Sequence, residues 1–295
     1  LNTFTGFTSD EIAVAYSPDG RYVAAGGFDK LVKVYDAQGG YLVRTLSGFT
    51  DDIWSLQFSP DGGSLLSGDG NGNIIVWNTS SWTETRRVFQ KGWITSIRFK
   101  SDGQEVVTTS EGTSVNVWSF PGMGSLHTMN HTSKAWMAAI SPDDKYVVSS
   151  GADNVLRVWD LNTGTSIQVL DGHTATVGVV LFSSDGQKIV SSSDDNSIRI
   201  WNVTGVGGKS GSSFAVHQES GVFSASLSGS VSNELSGGYN RGGAITPDGQ
   251  RFAIGGSGGI LKIFNTSDGS LSKTLSGHSS YVNGLAFSPD GQKLA

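Results

Sequence analysis

The chain has 295 residues, 37% of them hydrophobic, and a formal net charge of −6; this suits one domain with a core of alternating strands and leaves no room for a second, catalytic domain. Its positive residues are scattered, which argues against sequence-independent binding to nucleic-acid phosphates, and no apolar run reaches membrane-spanning length, so we expect no membrane insertion. The sequence has no cysteine, which excludes disulfides and thiolate metal sites but does not indicate the compartment.

A four-residue turn is the first recognisable element, and it recurs along the chain. Its first copy is Ser17-Pro18-Asp19-Gly20. Proline presets φ at the second position of a turn, aspartate bonds back to the local backbone, and glycine takes the positive φ that closes a hairpin. We therefore expect a tight turn at seven places: residues 17–20, 59–62, 100–103, 141–144, 183–186, 246–249 and 288–291.

Short strands fill the space between these turns. Around one turn, residues 165–170, 177–182, 188–192 and 197–201 show strand periodicity and are separated by Gly, Asn, Asp and Ser. An aromatic anchor ends one strand of each unit, at Tyr35, Trp77, Trp118, Trp159, Trp201 and Phe264. The first five anchors lie 41 or 42 residues apart, a period typical of four-stranded propeller blades.

The next gap, from Trp201 to Phe264, is 63 residues, which exceeds the period by 63 − 42 = 21 residues. Residues 203–241 are rich in Ser and Gly and have too few apolar residues for a domain. We predict that they form an insertion loop within a single domain of residues 1–295, with most of the extra length after His217.

The two ends of the chain predict a shared unit. Residues 1–7 align with outer strands at 44–49 and 273–278, whereas residues 282–287 and 293–295 read as the first strand and the start of the second strand of a last unit. The anchor of that unit would fall at 264 + 42 = 306, beyond the last residue. We expect a last blade that is incomplete in this chain and closed by the N-terminal strand. Truncation of a longer protein is favoured over a strand borrowed from another molecule.

Paired residues at a regular spacing carry a family resemblance. Gly172-His173 precedes Trp201-Asn202, Asn130-His131 precedes Trp159-Asp160, and Gly277-His278 begins a unit without a third strand. With seven units in register, the sequence resembles the WD-repeat family. The resemblance implies an all-β, seven-bladed β-propeller of four-stranded antiparallel blades, with the insertion loop on its top face. It also implies a cytoplasmic protein, with an extracellular one as the alternative.

A Ser, His and Asp set in two units admits two interpretations. In a hydrolase, Ser191 would be the nucleophile, His173 its base and Asp195 the orienter. The resemblance implies instead structural tetrads, in which Asp, His and Ser bond in series to a Trp indole. Because the set occurs twice and no Gly-x-Ser-x-Gly elbow is present, we predict no enzymatic activity. The predicted tetrads are His131, Ser149, Asp153 and Trp159, and His173, Ser191, Asp195 and Trp201. Where the slots hold Gln90 and Thr108, we expect apolar packing to replace the network.

Two further patterns bear on modification and metal binding. Asn78, Asn202 and Asn265 each follow an aromatic anchor within an Asn-x-Ser/Thr sequon; N-glycosylation is one interpretation and repeat duplication the other. Residues 69–73 have the oxygen spacing of a calcium loop, but the last ligand position lacks Glu and no flanking helix is predicted. We therefore predict no metal site and no cofactor.

Large aromatic residues concentrate where the innermost strands begin. Trp54 and Trp136 share one column of the aligned units, and the column two residues earlier contains Trp93, Tyr281, Asp52 and Lys134. The resemblance implies that these columns surround the central channel at the top face, and such residue types are typical of binding hot spots. Packing between blades is the alternative. We predict a non-catalytic scaffold that binds a protein or peptide through this face. The alternative is a structural or cell-surface subunit that associates with copies of itself, for which N-glycosylation is one interpretation of the sequons.

Overall fold

The computed structural model describes residues 11–195, 197–204, 215–218, 242–255, 259–278, 282 and 284–295. These residues form six antiparallel sheets of four strands, and within each sheet the strands lie side by side in chain order. The first three sheets are formed by β1 (Glu11–Tyr16), β2 (Tyr22–Gly27), β3 (Val32–Asp36) and β4 (Leu42–Leu46); β5 (Ile53–Phe58), β6 (Ser64–Asp69), β7 (Asn73–Asn78) and β8 (Thr83–Phe89); and β9 (Ile94–Phe99), β10 (Glu105–Ser110), β11 (Ser114–Ser119) and β12 (Gly124–Asn130). The last three are formed by β13 (Ala135–Ile140), β14 (Tyr146–Gly151), β15 (Leu156–Asp160) and β16 (Ser166–Leu170); β17 (Val177–Phe182), β18 (Lys188–Ser193), β19 (Ile198–Thr204) and β20 (Ala215–Gln218); and β21 (Gly243–Ile245), β22 (Arg251–Gly255), β23 (Ile260–Asn265) and β24 (Leu271–Ser276).

Each sheet runs from a buried inner strand to a more exposed outer strand. The inner strand β13 is almost wholly buried, whereas nearly every residue of the outer strand β8 is exposed. The first strands of successive sheets contact one another, β1 with β5, β5 with β9, and so on to β21. This arrangement is a β-propeller of four-stranded antiparallel blades, as predicted, and its core lies between neighbouring sheets.

Small residues on the second strands allow neighbouring sheets to pack closely. A Cβ at Gly26 would lie 2.9 Å from Cγ2 of Ile53, and one at Gly68 would lie 2.4 Å from Cγ2 of Ile94. Ile53 and Ile94 are both fully buried and begin the inner strand of the next sheet. The same contact recurs further along the chain, where a Cβ at Gly255 would meet Cβ of Val282 at 2.8 Å. Val282 therefore takes the place at which an inner strand begins.

The recurrent turn has the conformation that its residues predict. In the first copy, Ser17 Oγ donates to Asp19 Oδ1 over 2.5 Å, the Tyr22 amide donates to Ser17 Oγ over 2.8 Å, and Gly20 has φ of 70°. Each of these turns contacts the turn of a neighbouring unit. Contacts of this kind join Gly62 to Pro18, Gly103 to Pro60, Ser101 to Asp144, Ser184 to Asp248, Gly291 to Pro247 and Gly20 to Pro289.

The C-terminal segment forms a hairpin rather than a blade. Phe287 bridges Leu294, and Ala286 and Ala295 exchange backbone hydrogen bonds of 2.9 Å. The prediction of seven four-stranded blades is therefore not met by the described residues, which form six such sheets. The physical reason is that the backbone hydrogen bonds of 284–295 join only two strands. Residues 1–7, which we expected to complete this unit, lie outside the described residues.

The predicted insertion 203–241 starts too early. Val203 and Thr204 still belong to β19 and pair with Val216 and Ala215 of β20. The outer strand β20, which contains His217, therefore lies inside the stretch predicted as a loop. Residues 205–214 and 219–241 of that stretch lie outside the described residues.

No helix in the described ranges is long and apolar enough to span a membrane.

Candidate functional site

The two predicted tetrads are assembled as hydrogen-bonded series. His173 Nδ1 lies 2.8 Å from Asp195 Oδ2, His173 Nε2 lies 2.8 Å from Ser191 Oγ, and Trp201 Nε1 donates to the same hydroxyl over 2.9 Å. Because Ser191 accepts from the indole, its own proton is directed to Nε2, and the neutral imidazole carries its proton on Nδ1.

The neighbouring tetrad has the same arrangement. His131 Nδ1 lies 3.0 Å from Asp153 Oδ1, its Nε2 lies 2.7 Å from Ser149 Oγ, and Trp159 Nε1 donates to Ser149 over 2.8 Å. Both serines are fully buried. A nucleophile must reach its substrate and needs a nearby oxyanion site, so the geometry is that of a structural network.

Burial and hydrogen bonding shift the pKa values of the second tetrad. Burial lowers the pKa of His173 by more than its bond to Asp195 raises it. Burial by itself raises the pKa of Asp195, but hydrogen bonds from Ser197, the Thr174 amide and His173 outweigh this and lower it to about 2. The stable pair at neutral pH is therefore a carboxylate with a neutral imidazole.

A third network stands where we expected apolar packing. Trp118 Nε1 donates to Thr108 Oγ1 over 2.8 Å, the Thr108 hydroxyl donates to Gln90 Oε1, and Gln90 Nε2 donates to Ser114 Oγ over 2.9 Å. The expectation was wrong because an amide offers both an acceptor and donors, which lets Gln90 replace the imidazole.

Two residues of the predicted aromatic columns, Trp54 and Trp93, form with Phe28 a half-exposed cluster, which we call the aromatic patch. The rings of Trp54 and Trp93 are stacked, with centroids 4.7 Å apart and planes at 10°. Phe28, in the turn between β2 and β3, packs edge-on against Trp54 at 6.1 Å and is 43% exposed. The sequence analysis missed Phe28, although it is a large apolar residue in a polar turn.

Backbone hydrogen bonds place these residues at one edge of the sheets. In the second to fifth sheets, the residue before the inner strand accepts a bond from the turn between the second and third strands of the same sheet. The Gly70 amide donates to Asp52 O over 2.9 Å, and the Glu111 amide donates to Trp93 O over 3.0 Å. The turns that include Gly70 and Glu111 therefore lie on the same face as the starts of the inner strands, and Phe28 lies there through its contact with Trp54.

Trp136 is buried, unlike the half-exposed Trp54 in the same column of the repeat. It is only 6% exposed, and Lys134 Nζ lies 5.9 Å from its ring centroid. Lys134 also pairs with Glu111. Trp136 thus follows the alternative interpretation, in which burial explains the aromatic residue, while Lys134 remains exposed at the rim. Tyr281 lies outside the described residues.

Charged groups flank the aromatic patch. Lys30 Nζ lies 3.7 Å from Asp51 Oδ1 and donates to the Thr50 carbonyl over 3.2 Å. Burial raises the pKa of the half-buried Asp52, and the neighbouring Asp51 raises it further. The rim thus carries both signs of charge beside an apolar surface.

The innermost strands surround a cavity of about 480 Å³. Trp54 and Trp136 line it near the strand starts, and Pro18, Pro60 and Pro289 line it at the recurrent turns. This cavity is the central channel of the propeller, and the aromatic patch borders one end of it.

The three sequon asparagines are half-buried and take part in local turns. Asn78 Oδ1 accepts from the Ser80 and Ser81 amides over 3.0 Å. Lys188 Nζ donates to Asn202 Oδ1 over 3.3 Å, and Asn265 Nδ2 donates to Ser270 Oγ over 2.9 Å. Glycosylation stays a prediction.

Among the described residues there is no cluster of three or more His, Cys, Asp or Glu that could hold a metal ion.

Comparison with known families identifies the repeats. The model of the WD domain, G-beta repeat, matches residues 1–36, 40–78, 84–119, 123–160, 164–202 and 269–295. These matches cover most of the chain and leave out the greater part of the insertion.

Individual relatives match parts of the chain. It is 30% identical over 169 residues to the anaphase-promoting complex subunit cdc20 of Dictyostelium discoideum, which covers 54% of this chain and 34% of the relative. It is 25% identical to autophagy-related protein 16 of Arabidopsis thaliana, over 57% of this chain and 34% of the relative. It is 28% identical to protein groucho of Drosophila melanogaster, over 55% of this chain and 22% of the relative. The matched part thus spans about a third or less of these relatives.

Proposed function

Since the chain belongs to the WD-repeat family, we propose that it is a non-catalytic scaffold that binds a peptide or protein partner through the aromatic patch at the mouth of its central channel. The observation that carries this proposal is the stacked, half-exposed pair of Trp54 and Trp93 with Phe28 beside it. Aromatic residues are over-represented among binding hot spots, because a rigid ring buries a large area at a small entropic cost.

The surroundings of the patch suit an extended polypeptide. Lys30 with Asp51, and Lys134 with Glu111, place charges of both signs around an apolar centre. Such a rim orients a partner and excludes water from the centre, while the aromatic anchors supply most of the affinity.

One relative carries a name that agrees with a role in an assembly. The cdc20 relative is named as a subunit of the anaphase-promoting complex, and WD-repeat proteins are generally non-catalytic. The serines of both tetrads are fully buried, so they offer no nucleophile to a substrate.

The test is to select peptides that bind the parent protein from a random display library and to measure their Kd by fluorescence anisotropy. Trp54→Ala and Trp93→Ala should each weaken binding about thirtyfold, the effect of losing a hot-spot anchor of about 2 kcal/mol. Phe89→Ala is the matched control, because Phe89 is 65% exposed on the outer strand β8, away from the channel. Undiminished binding by both folded tryptophan variants would refute the proposal.

We further propose that the complete ring has seven units, with the N-terminal strand and the C-terminal hairpin in one blade. The hairpin has contacts on both sides: Gly291 is near Pro247 of the sixth sheet's turn, and Gly20 of the first sheet's turn is near Pro289. Val282 packs on Gly255 as an inner strand does on the preceding blade. The hairpin therefore occupies the interval between the sixth and first sheets, where a seventh blade would lie.

Self-assembly remains a second candidate function because several outer strands expose large apolar side chains. Leu42 is 50% exposed, Val169 is 45% exposed and Leu271 is 52% exposed, on β4, β16 and β24. Outer strands are also the open edges of their sheets, which favour pairing with another molecule. Light scattering of the purified protein distinguishes the two: a scaffold is a monomer over the micromolar range, and a self-assembling subunit is not.

A further inference from the structure

One arginine in the central channel lacks a counter-charge. Arg98 is the fifth residue of the inner strand β9, and it lines the cavity of about 480 Å³. Its only hydrogen bond to a described residue is the one that Nη1 donates to the adjacent Ile97 carbonyl over 2.8 Å. No carboxylate among the described residues lies within ion-pair distance of its guanidinium.

The channel offers this cation no compensation. The described residues that line the cavity include no Asp and no Glu. Lys100 is the other basic residue of the lining, and it is already paired, with Asp102 at 3.3 Å and Glu105 at 4.0 Å. Arg98 is therefore the cation of the described lining that has no ion-pair partner, although the whole chain carries a net charge of −6.

Small residues leave room in front of the guanidinium. The positions equivalent to Arg98 in the other inner strands, and in the C-terminal hairpin, are mostly small: Ala15, Gln57, Ala139, Leu181, Ala244 and Ala286. Ser96, two residues before Arg98, also lines the cavity, and its buried hydroxyl has no hydrogen-bond partner. Arg98 is half-buried, and this burial lowers the pKa of its guanidinium to about 10, so the side chain is still protonated at neutral pH.

From these contacts we infer that the central channel binds one oxyanion, a carboxylate or a phosphate, on the guanidinium of Arg98. A guanidinium has five donors in a planar fork that matches two oxygens of such an anion, and here a single donor is used within the protein. Arg98 is half-buried and has no ion-pair partner among the described residues, and an anion that enters the channel supplies that partner. This site is distinct from the aromatic patch, and each can fail without the other.

The experiment compares thermal unfolding of the parent, Arg98→Gln and Arg86→Gln in potassium phosphate, acetate and chloride at equal ionic strength. Arg86 is the matched control, because it is exposed on the outer strand β8. A bound anion stabilises the folded state by mass action, so the Tm of the parent and of Arg86→Gln should rise with phosphate or acetate above the chloride value. Arg98→Gln should lose this rise, with a Kd weakened at least tenfold. Phosphate and acetate separate the two anion classes.

Equal increases of Tm in all three proteins would overturn the inference, because a general salt effect acts on every variant alike. If Arg98→Gln does not fold, titration of the parent with inorganic phosphate decides the question through the NMR resonance of Arg98 Nε–Hε. A saturable shift of that resonance agrees with the site. If the resonance does not shift up to about 0.1 M phosphate, where non-specific ion contacts are already screened, the inference is refuted.

Discussion

In the blade of β17 to β20, one hydroxyl connects two side chains, because Ser191 donates to His173 and accepts from the Trp201 indole. Removing the imidazole leaves the hydroxyl and the Asp195 carboxylate without their partner. A buried polar group that loses its partner costs more than the bond itself contributes, because the group was desolvated on folding.

We therefore expect His173→Ala to lower the free energy of unfolding by about 1 to 3 kcal/mol without removing any specific activity. His278→Ala is the control, since His278 follows a glycine in the same Gly-His pairing but is exposed. Urea denaturation of both variants measures the difference. An unchanged His173→Ala stability together with loss of a hydrolytic activity would contradict the structural role.

The same tetrad makes stability depend on pH. The pKa of Asp195 is lowered in the folded state from 3.8 to about 2, so its contribution is present above pH 4 and is lost as the pH falls toward 2. The pKa of His173 is also lowered, so its contribution is present above about pH 6.5 and is lost in acid. Both groups therefore destabilise the fold as the pH falls.

The expected test is urea denaturation of the parent and Asp195→Asn between pH 7 and pH 2.5. Their free energies of unfolding should differ by about 1 to 2 kcal/mol above pH 4, after allowance for solvent screening. The difference should shrink below pH 4, because the carboxylate of the parent is then protonated. A difference that stays constant down to pH 2.5 would show that the charge of Asp195 does not stabilise the blade.

At the scale of the strand, the second strand of each blade must let the next blade approach. Gly68 in β6 faces Ile94, which begins β9, and a Cβ there would lie 2.4 Å from Cγ2 of the isoleucine. Both residues are buried. An added methyl group therefore forces two sheets apart instead of displacing a flexible surface side chain.

Gly68→Ala should consequently destabilise the protein by about 1 to 3 kcal/mol through overpacking. Gly122→Ala is the matched control, because a Cβ at Gly122 meets no atom within 4 Å. Thermal unfolding of the two variants gives the comparison. Equal Tm values would mean that the blades slide apart at little cost.

At the scale of the whole molecule, the ring depends on how its ends meet. The recurrent turns contact each other from blade to blade, and the C-terminal turn contacts both the sixth and the first, through Gly291 with Pro247 and Pro289 with Gly20. A strand that completes the unit between them would stabilise two interfaces at once.

Deletion of residues 1–7 should therefore lower Tm far more than removal of a frayed terminus does. The matched control is deletion of residues 226–232, seven residues of the Ser/Gly-rich insertion. Differential scanning calorimetry measures both. If the two deletions have equal effects, the N-terminal segment does not complete the last blade.

The amino-acid sequence by itself was sufficient to predict the four-stranded antiparallel blade, its turn and the two histidine tetrads, but not the number of four-stranded sheets, of which the described residues form six. Each of these depends on contacts within one unit of about 42 residues, such as Ser17 with Asp19 or Ser191 with Trp201. The same turn residues and tetrad residues recur in successive units, so the interpretation of one unit supports that of the next. The sequence analysis missed the network around Gln90, because this blade has a glutamine where the tetrads have histidine. That the glutamine amide can replace the imidazole follows only from the positions of its acceptor and donors, which bond Thr108 and Ser114.

Only the tertiary structure decided which side chains of different blades meet. Trp54 and Trp136 occupy the same column of the repeat, yet Trp54 stacks half-exposed on Trp93 of the next blade, whereas Trp136 is buried beside Lys134. The aromatic patch and the unpaired Arg98 likewise depend on neighbours that are distant in sequence. The physical reason is that exposure and charge compensation belong to the spaces between blades and to the channel, and these exist only once the sheets are arranged around a common axis.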